Sequence, residues 1–466
     1  MNDTPTPAAS PLRVAIIGAG PAGFYAADAL FRRDDLEVRV DMFNRFPTPY
    51  GLVREGVAPD HQSIKAVTRV FDRIGDDPRF RFFGNVTVGS DVAPEELLGS
   101  YHVVIYATGA QSDRRLGIPG EDLAGSHPAT IFVGWYNGHP DCADLDFDLS
   151  HPRAVVVGNG NVAVDVARIL VRQPDELATT DIADHALAAL RASGVREVLM
   201  LGRRGPAQAK FTSAELKEFG RMEGLAVEVD EGSLELDEQS AAVAEAERRV
   251  SRNLEILGDF AVREPEEAER RLELRFFASP VEILGRNGRV GGVRIERNRL
   301  EPTDDGRLRA VGTGDTEDVE CGLVLRSVGY RGVPVPGVPF DESRGVIPNR
   351  AGRVLDRPDG DVRPREYAVG WIKRGPSGII GTNKPDAVET VESIVEDVAA
   401  GSCNGVVVDP DLVPKLLARR GVPVVGYDEW RRIDAAETER GTAEGRPRCK
   451  IVRVDEMLRV AGVDGS

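Results

Sequence analysis

The chain has 466 residues, of which 41% are hydrophobic and 29% charged, and it carries a formal net charge of −17. This composition supports packed cores, and the 50 glycines and 30 prolines argue against a coiled coil or a simple helical bundle. Such an acidic chain is a poor candidate for general binding to nucleic acid or to an anionic membrane surface. At ~150 residues per domain, the length predicts two or three domains.

Residues 1–11 have neither the basic start nor the apolar core of a secretory signal, and we predict a disordered tail there. No apolar run approaches the roughly eighteen residues of a membrane-spanning helix, so we predict no integral membrane association. The cysteines at 142, 321, 403 and 449 form no C-x-x-C pair, so we predict no metal site, iron–sulfur cluster or redox dithiol. Isolated thiols favour a reducing, cytoplasmic location.

Two segments share one pattern. Residues 13–30 read RVAIIGAGPAGFYAADAL, and residues 152–170 read PRAVVVGNGNVAVDVARIL. Each has a β-branched run, then G-x-G-x-x-G or G-x-G-x-x-A, and then an apolar helical pattern. This is the strand–turn–helix opening of a dinucleotide-binding unit, so the sequence predicts two such domains.

Further strands follow each opening. They are predicted over 38–43, 80–83 and 101–106 after the first loop, and over 197–201, 272–278 and 323–328 after the second. Alternation of strands with helices predicts parallel sheets and an α/β fold. We expect exposed helix over 231–271, a short-stranded antiparallel excursion over 280–320, and mixed helix and loop over 405–466.

The first glycine loop predicts an FAD site. Gly18 allows the tight turn, Gly20 lets the backbone approach a pyrophosphate, and Gly23 lets helix and strand pack closely. The form G-x-G-P-A-G, with Ala-Thr-Gly ending at Gly109, is typical of FAD domains. At the end of the second strand, where an acid normally binds the adenosine ribose, the chain has Asn44. Asn44 either bonds a ribose hydroxyl without charge assistance or only turns the chain.

The second loop predicts NADP rather than NAD. The next strand ends in Arg203 and Arg204, which would bind a 2′-phosphate that an acid would repel. The spacing from Gly158 to Arg203 exceeds the usual ~20 residues, and a helical insertion at about 174–194 accounts for it. The alternative is a solvated arginine pair.

Four longer motifs carry a family resemblance. They are TPYGLVREGVAPDHQSIK at 48–65, GNGNVAVDVARIL, GRRGP, and VGWIKRGPSGIIGTNKPDA at 369–387. Together they resemble the NADPH–ferredoxin reductases of the adrenodoxin-reductase type, in order from about residue 13 to 395. The resemblance implies a glutathione-reductase-like architecture. The FAD domain would comprise 12–111 and 330–466, with the NADP domain, 112–329, inserted in it.

The resemblance also implies a role for each matched residue. FAD contacts fall on Ala22, Asn44, Leu52, Val86, Trp371, Gly378, Ile379 and Ile380. The NADP pyrophosphate falls on Asn159, Gly160, Asn161 and Val162, and the 2′-phosphate and ribose fall on Arg203, Arg204 and Glu215. Asn44 departs from the family, which usually has Glu there.

By the same analogy, polar groups near the redox centre are His61, Asp165 and either Glu215 or Glu218. We take His61, Asp165 and Glu218 as catalytic candidates that tune or relay protons. Alternatively, His61 only starts a helix, and Asp165 only packs or caps.

The implied reaction is that of a ferredoxin–NADP⁺ reductase: hydride transfer between NADPH and FAD, then single-electron transfer to a ferredoxin-type iron–sulfur protein. An acidic ferredoxin would dock on basic patches, either Arg248, Arg249 and Arg252 or Lys65, Arg69 and Arg73, although each patch could be only a solvated helix face. The alternatives are an electron-input module of a glutamate-synthase-like complex and a non-catalytic FAD- and NADPH-binding regulator.

Overall fold

The computed structural model describes residues 11–263, 268–304, 306–403 and 409–463. Apart from Pro11, the tail predicted over 1–11 lies outside these ranges. The strands are β1 Leu12–Ile17, β2 Val38–Phe43, β3 Phe80–Phe83, β4 Val103–Tyr106, β5 Ser112–Asp113, β6 Ser126–Pro128, β7 Arg153–Val157, β8 Glu197–Leu201, β9 Leu225–Val229, β10 Arg270–Arg275, β11 Ala278–Arg286, β12 Arg289–Pro302, β13 Leu308–Glu320, β14 Leu323–Arg326, β15 Tyr330–Arg331, β16 Asn349–Arg350, β17 Arg353–Leu355 and β18 Val362–Ala368.

Helices alternate with these strands. They are α1 Pro21–Phe31, α2 Leu52–Glu55, α3 Gln62–Lys65, α4 Thr68–Gly75, α5 Pro94–Leu98, α6 Ala129–Asn137, α7 Asn161–Val171, α8 Pro174–Leu177, α9 Asp184–Arg191, α10 Ser213–Phe219, α11 Glu238–Ala246, α12 Arg248–Ala261, α13 Trp371–Arg374, α14 Asn383–Ala399, α15 Leu412–Arg419, α16 Tyr427–Ala443 and α17 Val454–Ala461. Within the described ranges, no helix is both long and apolar enough to cross a bilayer.

The chain divides into two compact units. The first comprises residues 1–57, 61–112 and 330–466. Its sheet has the strand order β16-β17-β18-β4-β1-β2-β3, and the run from β18 to β3 is parallel. Strand β1 is covered on both faces, because Val14 and Ile16 are fully buried on one face and Ala15 is fully buried on the other. That is why it has a continuous apolar sequence rather than an alternating one.

The second unit comprises residues 58–60 and 113–329. Its parallel sheet has the order β6-β14-β7-β8-β10-β9, and the chain from Ala278 to Glu320 forms a separate antiparallel sheet, β11-β12-β13. The predicted helical insertion near 174–194 is present as α8 and α9.

Several predicted boundaries were wrong. The strand predicted over 272–278 ends at Arg275, and a new strand begins at Ala278, because Phe277 adopts a left-handed φ of 52° that turns the chain. In place of the short strands predicted over 280–320, the chain forms the long strands β12 and β13 and most of β11. Strands β12 and β13 are long because they pair with each other over nearly their whole length. The helix predicted up to 271 ends at Ala261, and β10 starts at Arg270.

The C-terminal helices, to which the sequence assigned no chemistry, belong to the first unit. Glu437 of α16 is fully buried and accepts hydrogen bonds from both terminal nitrogens of Arg54, at 2.8 and 2.5 Å. Lys450 donates to the Arg54 carbonyl oxygen at 2.9 Å, and the Arg54 guanidinium lies 5.4 Å from the Trp430 ring centre. These contacts attach the TPYGLVREG motif to the C-terminal part of the first unit.

Candidate functional site: two glycine loops and a buried arginine

The first glycine loop joins β1 to α1 under tight steric limits. Gly18 has φ +109°, and a Cβ there would lie 2.5 Å from the Ala107 carbonyl oxygen. A Cβ on Gly23 would lie 2.2 Å from the Gly18 oxygen. By contrast, a Cβ on Gly20 would meet nothing within 4 Å. Gly18 and Gly23 are therefore needed by the loop itself, whereas Gly20 faces open space beside the helix start.

The start of α1 suits an anion. Pro21 occupies the first turn, where its missing N–H costs nothing, and no side chain caps the helix. The first-turn N–H groups and the positive end of the helix dipole are thus available to a phosphate.

The loop after β2 is pinned to the glycine loop. Asn44 Oδ1 accepts from the Ala19 N–H at 3.2 Å, and Asn44 Nδ2 donates to the carbonyls of Phe46 and Thr48, each at 3.0 Å. The Tyr50 N–H then donates to the Ala19 carbonyl at 2.8 Å. Both amide hydrogens of Asn44 are therefore engaged in bracing this loop, and only remaining lone pairs on Oδ1 could reach a ribose hydroxyl.

The return segment after β18 closes on the same loop. Gly370 has φ +75°, and a Cβ there would lie 2.5 Å from the Ala22 Cβ. The Gly370 N–H donates to Asp386 at 2.6 Å, and Trp371 Nε1 donates to the Ser377 carbonyl at 3.1 Å. Ile379 is 65% exposed, so its side chain leaves an apolar surface that a flat aromatic ligand can cover.

These features fit the FAD that the sequence predicts. The space beside Gly20 admits a pyrophosphate, and the Thr108 hydroxyl is buried with no hydrogen-bond partner among the described residues. A buried unpartnered hydroxyl costs free energy unless a bound group satisfies it. Val86 is buried, and its N–H donates to the Asn44 carbonyl. Val86 therefore reaches a ligand only through its carbonyl or an edge of its side chain. Leu52, at the start of α2, is half-buried.

The second glycine loop repeats this geometry between β7 and α7. Gly158 has φ +134°, and a Cβ there would lie 2.2 Å from the Ser327 oxygen, while a Cβ on Gly160 would meet nothing within 4 Å. Asn161 Oδ1 accepts from the Thr212 N–H at 2.9 Å, and the Asn159 carbonyl accepts from the Lys210 N–H at 3.0 Å. Val162 is half-buried in the first turn of α7. The loop is therefore braced, and its open side lies at Gly160.

Arg203 and Arg204 follow β8 as predicted. Arg203 is exposed and Arg204 half-buried. Burial, and then the charge of Arg203, lower the pKa of Arg204 below its ordinary value. Across the described ranges, no carboxylate forms an ion pair with either guanidinium. Two adjacent positive charges without a counter-ion are the feature expected of an anion site.

A buried arginine that the sequence analysis missed organises the carboxylates of the second unit. Arg168 on α7 is fully buried. Its nitrogens lie 2.7 Å from Asp60, 2.7 Å from Asp165, 3.2 Å from Glu215 and 3.4 Å from Glu218. Burial alone would lower the pKa of Arg168, but the charge of Asp165 and the hydrogen bond to Asp60 raise it overall. The guanidinium therefore stays charged among four acids.

Comparisons with known proteins agree with this geometry. Residues 12–200 match the family model described as pyridine nucleotide-disulphide oxidoreductase. The chain is 48% identical to NADPH-ferredoxin reductase FprA of Mycobacterium tuberculosis over 461 residues, which covers 97% of this chain and 99% of FprA. It is 44% identical to the mitochondrial NADPH:adrenodoxin oxidoreductase of Arabidopsis thaliana, covering 97% and 95%. The structure of Mycobacterium tuberculosis FprA in complex with NADPH superposes with a TM-score of 0.92, at 48% identity and 97% and 99% coverage.

The chain belongs to the NADPH–ferredoxin reductase family. The resemblance and the α/β fold class with two Rossmann-like domains are thereby confirmed. The prediction of an NADPH-dependent flavoprotein oxidoreductase is likewise confirmed for this family.

Within this reductase fold, three of the four predicted polar candidates lie in the second unit. Asp165, Glu215 and Glu218 meet at Arg168 in the second unit. His61 belongs to the first unit, where it is buried and its backbone starts α3. Arg168 could have been suspected from the sequence, because a charged residue on the apolar face of NVAVDVARIL must find buried partners. The Thr108 hydroxyl gave no such signal.

One of the two predicted basic patches is contradicted. Lys65 is 8% exposed and ends α3, while α4 begins only at Thr68. Lys65, Arg69 and Arg73 therefore do not form one exposed helix face, because the helix is interrupted between them. Arg248, Arg249 and Arg252 are all exposed on α12, and Arg249 also donates to the Ala209 carbonyl at 2.9 Å.

Proposed function

We propose that this chain is a ferredoxin–NADP⁺ reductase that binds FAD in its first unit and NADPH in its second. The observation that carries the proposal is the pair of open glycine positions, Gly20 and Gly160, each beside an uncapped helix start in its own unit. The two relatives described above, whose names include NADPH and a ferredoxin or adrenodoxin, support it across nearly the whole chain. When bound, FAD supplies the conversion between the two-electron chemistry of NADPH and one-electron transfer to an iron–sulfur protein.

The residues of the first unit hold the flavin. Gly18, Gly20 and Gly23 shape the pyrophosphate turn, and Ala22 and Gly109 line it. The Thr108 hydroxyl donates to the bound group, which satisfies an otherwise unpartnered buried atom. The contacts proposed along the rest of the site are Asn44, Leu52, Val86, Trp371, Gly378, Ile379 and Ile380.

The residues of the second unit hold NADPH. Asn159, Gly160, Asn161 and Val162 present the loop backbone and helix start to the pyrophosphate. Arg203 and Arg204 bind the 2′-phosphate with charge-assisted hydrogen bonds, and Glu215 approaches the ribose. Arg168 holds Asp165 and Glu218 at 2.7 and 3.4 Å, which fixes where their oxygens can accept or return a proton. We propose His61, Asp165 and Glu218 as the proton-handling groups.

The partner is a small acidic ferredoxin that docks on the α12 surface, and the location is the cytoplasm. The four cysteines, at 142, 321, 403 and 449, are widely spaced and form no C-x-x-C pair, which supports a reducing compartment. For the domains we propose FAD binding by 12–111 and 330–466 and NADP binding by 112–329. The proposed junction at 111/112 lies one residue from the division of the compact units, and the junction at 329/330 coincides with it.

The experiment is a reduction assay on purified protein. We expect flavin absorbance near one FAD per chain, NADPH-dependent reduction of ferricyanide, and ferredoxin-dependent reduction of cytochrome c. A folded protein that stays colourless after FAD is supplied would refute the flavin assignment. A yellow protein that binds NADPH but never turns over ferricyanide would instead be a regulator.

A further inference from the structure

An open cleft lies between the loop after β8 and the far end of the β12–β13 hairpin, all within the second unit. Its volume is about 500 Å³. Its lining residues are Arg203, Arg204, Thr303, Asp304, Arg307, Leu308, Arg309 and Ala310. The sequence predicts this hairpin only as part of the antiparallel excursion over 280–320.

The cleft is positive in a strongly negative protein. It carries four arginines and one aspartate, although the chain as a whole has a net charge of −17. Arg204 and Arg203 repel each other there, which contributes to the lowered pKa of Arg204. On the hairpin, Arg309 lies 3.6 Å from Glu301, an exposed and therefore weak ion pair. A concentration of positive charge of this kind attracts an anion of two or more charges.

Hydrogen bonds from the backbone and from side chains hold the two walls of the cleft together. Asn298 of β12 donates from Nδ2 to the Arg203 carbonyl at 2.8 Å, and its N–H donates to the Phe277 carbonyl at 2.7 Å. The Phe277 N–H in turn donates to the Arg204 carbonyl at 3.2 Å. At the tip, the Thr303 N–H and hydroxyl both donate to the Arg307 carbonyl, at 2.7 and 2.8 Å. The hairpin is thus attached to the arginine loop, and Thr303 and Arg307 are joined by hydrogen bonds near its tip, as a binding wall requires.

We propose that the β12–β13 hairpin is the second wall of the 2′-phosphate pocket, and that Arg307 and Arg309 add to the selectivity for NADPH over NADH. The proposal rests on the proposed function, since it takes the ligand on Arg203 and Arg204 to be the 2′-phosphate. The hairpin arginines are exposed, so each contributes less than the loop pair and acts mainly through charge.

The test uses the flavin-loaded protein and isothermal titration calorimetry with adenosine 2′,5′-bisphosphate, which needs no catalysis. The variant R307A/R309A should bind it on the order of tenfold more weakly than wild type. Binding of 5′-AMP, which lacks the 2′-phosphate, should be unchanged. R307K/R309K should keep most of the affinity, and the gap between wild type and R307A/R309A should shrink as salt rises.

Two control variants separate the possible outcomes. R297A removes an exposed arginine from the same hairpin outside the cleft and should bind the bisphosphate normally. If R203A/R204A loses affinity while R307A/R309A binds within about twofold of wild type, the hairpin proposal is overturned and the proposed function stands. If R307A/R309A loses equal affinity for the bisphosphate and for 5′-AMP, the hairpin proposal is also overturned, because the arginines would then act on the adenosine. If R203A/R204A has no effect either, the NADP assignment itself fails.

Discussion

Arg168 donates two hydrogen bonds to Asp60, with 2.7 Å between Nε and Oδ2 and 3.0 Å between Nη2 and Oδ1. The two residues are 108 positions apart in the chain, and both side chains are almost completely buried. Asp60 also accepts from Arg172 at 2.5 Å. Asp60 is therefore held to the helix of the second glycine loop by two arginines.

Removing the Arg168 charge should strongly destabilise the second unit. R168M would leave four acids without their common partner, and breaking a buried ion pair in this way costs about 3–5 kcal/mol. The measurement is urea unfolding followed by circular dichroism. R191M removes an exposed arginine of α9 that lies 3.7 Å from Asp175, and it should change the free energy of unfolding by less than about 1 kcal/mol. Equal stability of R168M and R191M would show that the buried network is not needed for folding.

The open glycine positions should separate cofactor binding from folding. G20A adds a Cβ that meets nothing within 4 Å, so the protein should fold normally and yet lose FAD, because the methyl group occupies the pyrophosphate space. G160A should keep its FAD and bind NADPH more weakly. Flavin content and the Kd for NADPH are the measurements. A G20A protein with a full flavin complement would show that the pyrophosphate lies elsewhere. The control variant G23A adds a Cβ that clashes with the Gly18 oxygen, so it should lose stability in addition to FAD.

Asp113 should make the stability of the second unit depend on pH. Burial raises the pKa of Asp113 to about 7, against the opposing charge of Arg326, and the Thr130 hydroxyl donates to it. Between its ordinary value of 3.8 and about 7, the folded protein binds the proton that the unfolded chain has released. The free energy of unfolding should therefore fall as pH rises through this window, by at most about 4 kcal/mol.

The variant D113N should remove this pH dependence. Urea unfolding at pH 5 and pH 8 should show a smaller loss of stability in D113N than in wild type. D175N, which changes an aspartate with a 98% exposed side chain, should behave as wild type does. A wild-type stability that is flat or rising over this range would contradict the raised pKa.

Ferredoxin docking should depend on the α12 arginines. Because the chain and its expected partner are both acidic, attraction must come from local positive charge that salt screens over about 8–10 Å. R248E/R252E should lower ferredoxin-dependent cytochrome c reduction and leave ferricyanide reduction nearly unchanged. Added salt should have the same selective effect. Full ferredoxin activity in this variant would show that the α12 surface is an ordinary solvated face. The variant R69E/R73E would then test the exposed pair of the other predicted patch.

The sequence predicted what depends on local pattern. Gly18, Gly158 and the strands that precede them follow from steric rules that act over a few residues, and the structure agrees. The partners of Arg168 could not be predicted, because Asp60 reaches it only through the tertiary fold. Lys65 was misjudged for a related reason. A four-residue spacing indicates one face only if the helix is continuous, and here it breaks before Thr68.

Asn44 shows a limit of prediction by family position. The sequence placed it where relatives have a ribose-binding acid, and left open whether it only turns the chain. The structure shows its side chain accepting from the Ala19 N–H and donating to the Phe46 and Thr48 carbonyls. An acid could accept from Ala19 but could not make the other two bonds, because it has no N–H to donate. Its contact with FAD stays a prediction.

The pair formed by Arg54 and Glu437 has a consequence for how such a chain can change over evolutionary time. The two residues are separated by 383 positions, and both are almost fully buried. Without Glu437, Arg54 is an isolated charge in that interior, and without Arg54, Glu437 keeps the ion pair with Arg448 at 3.0 Å but loses its buried partner. Losing one member is therefore less tolerable than losing both. Across an alignment of relatives, positions 54 and 437 should therefore vary together, as charged in both or apolar in both. Relatives with apolar residues at both positions would be those in which the C-terminal helices are held by packing alone.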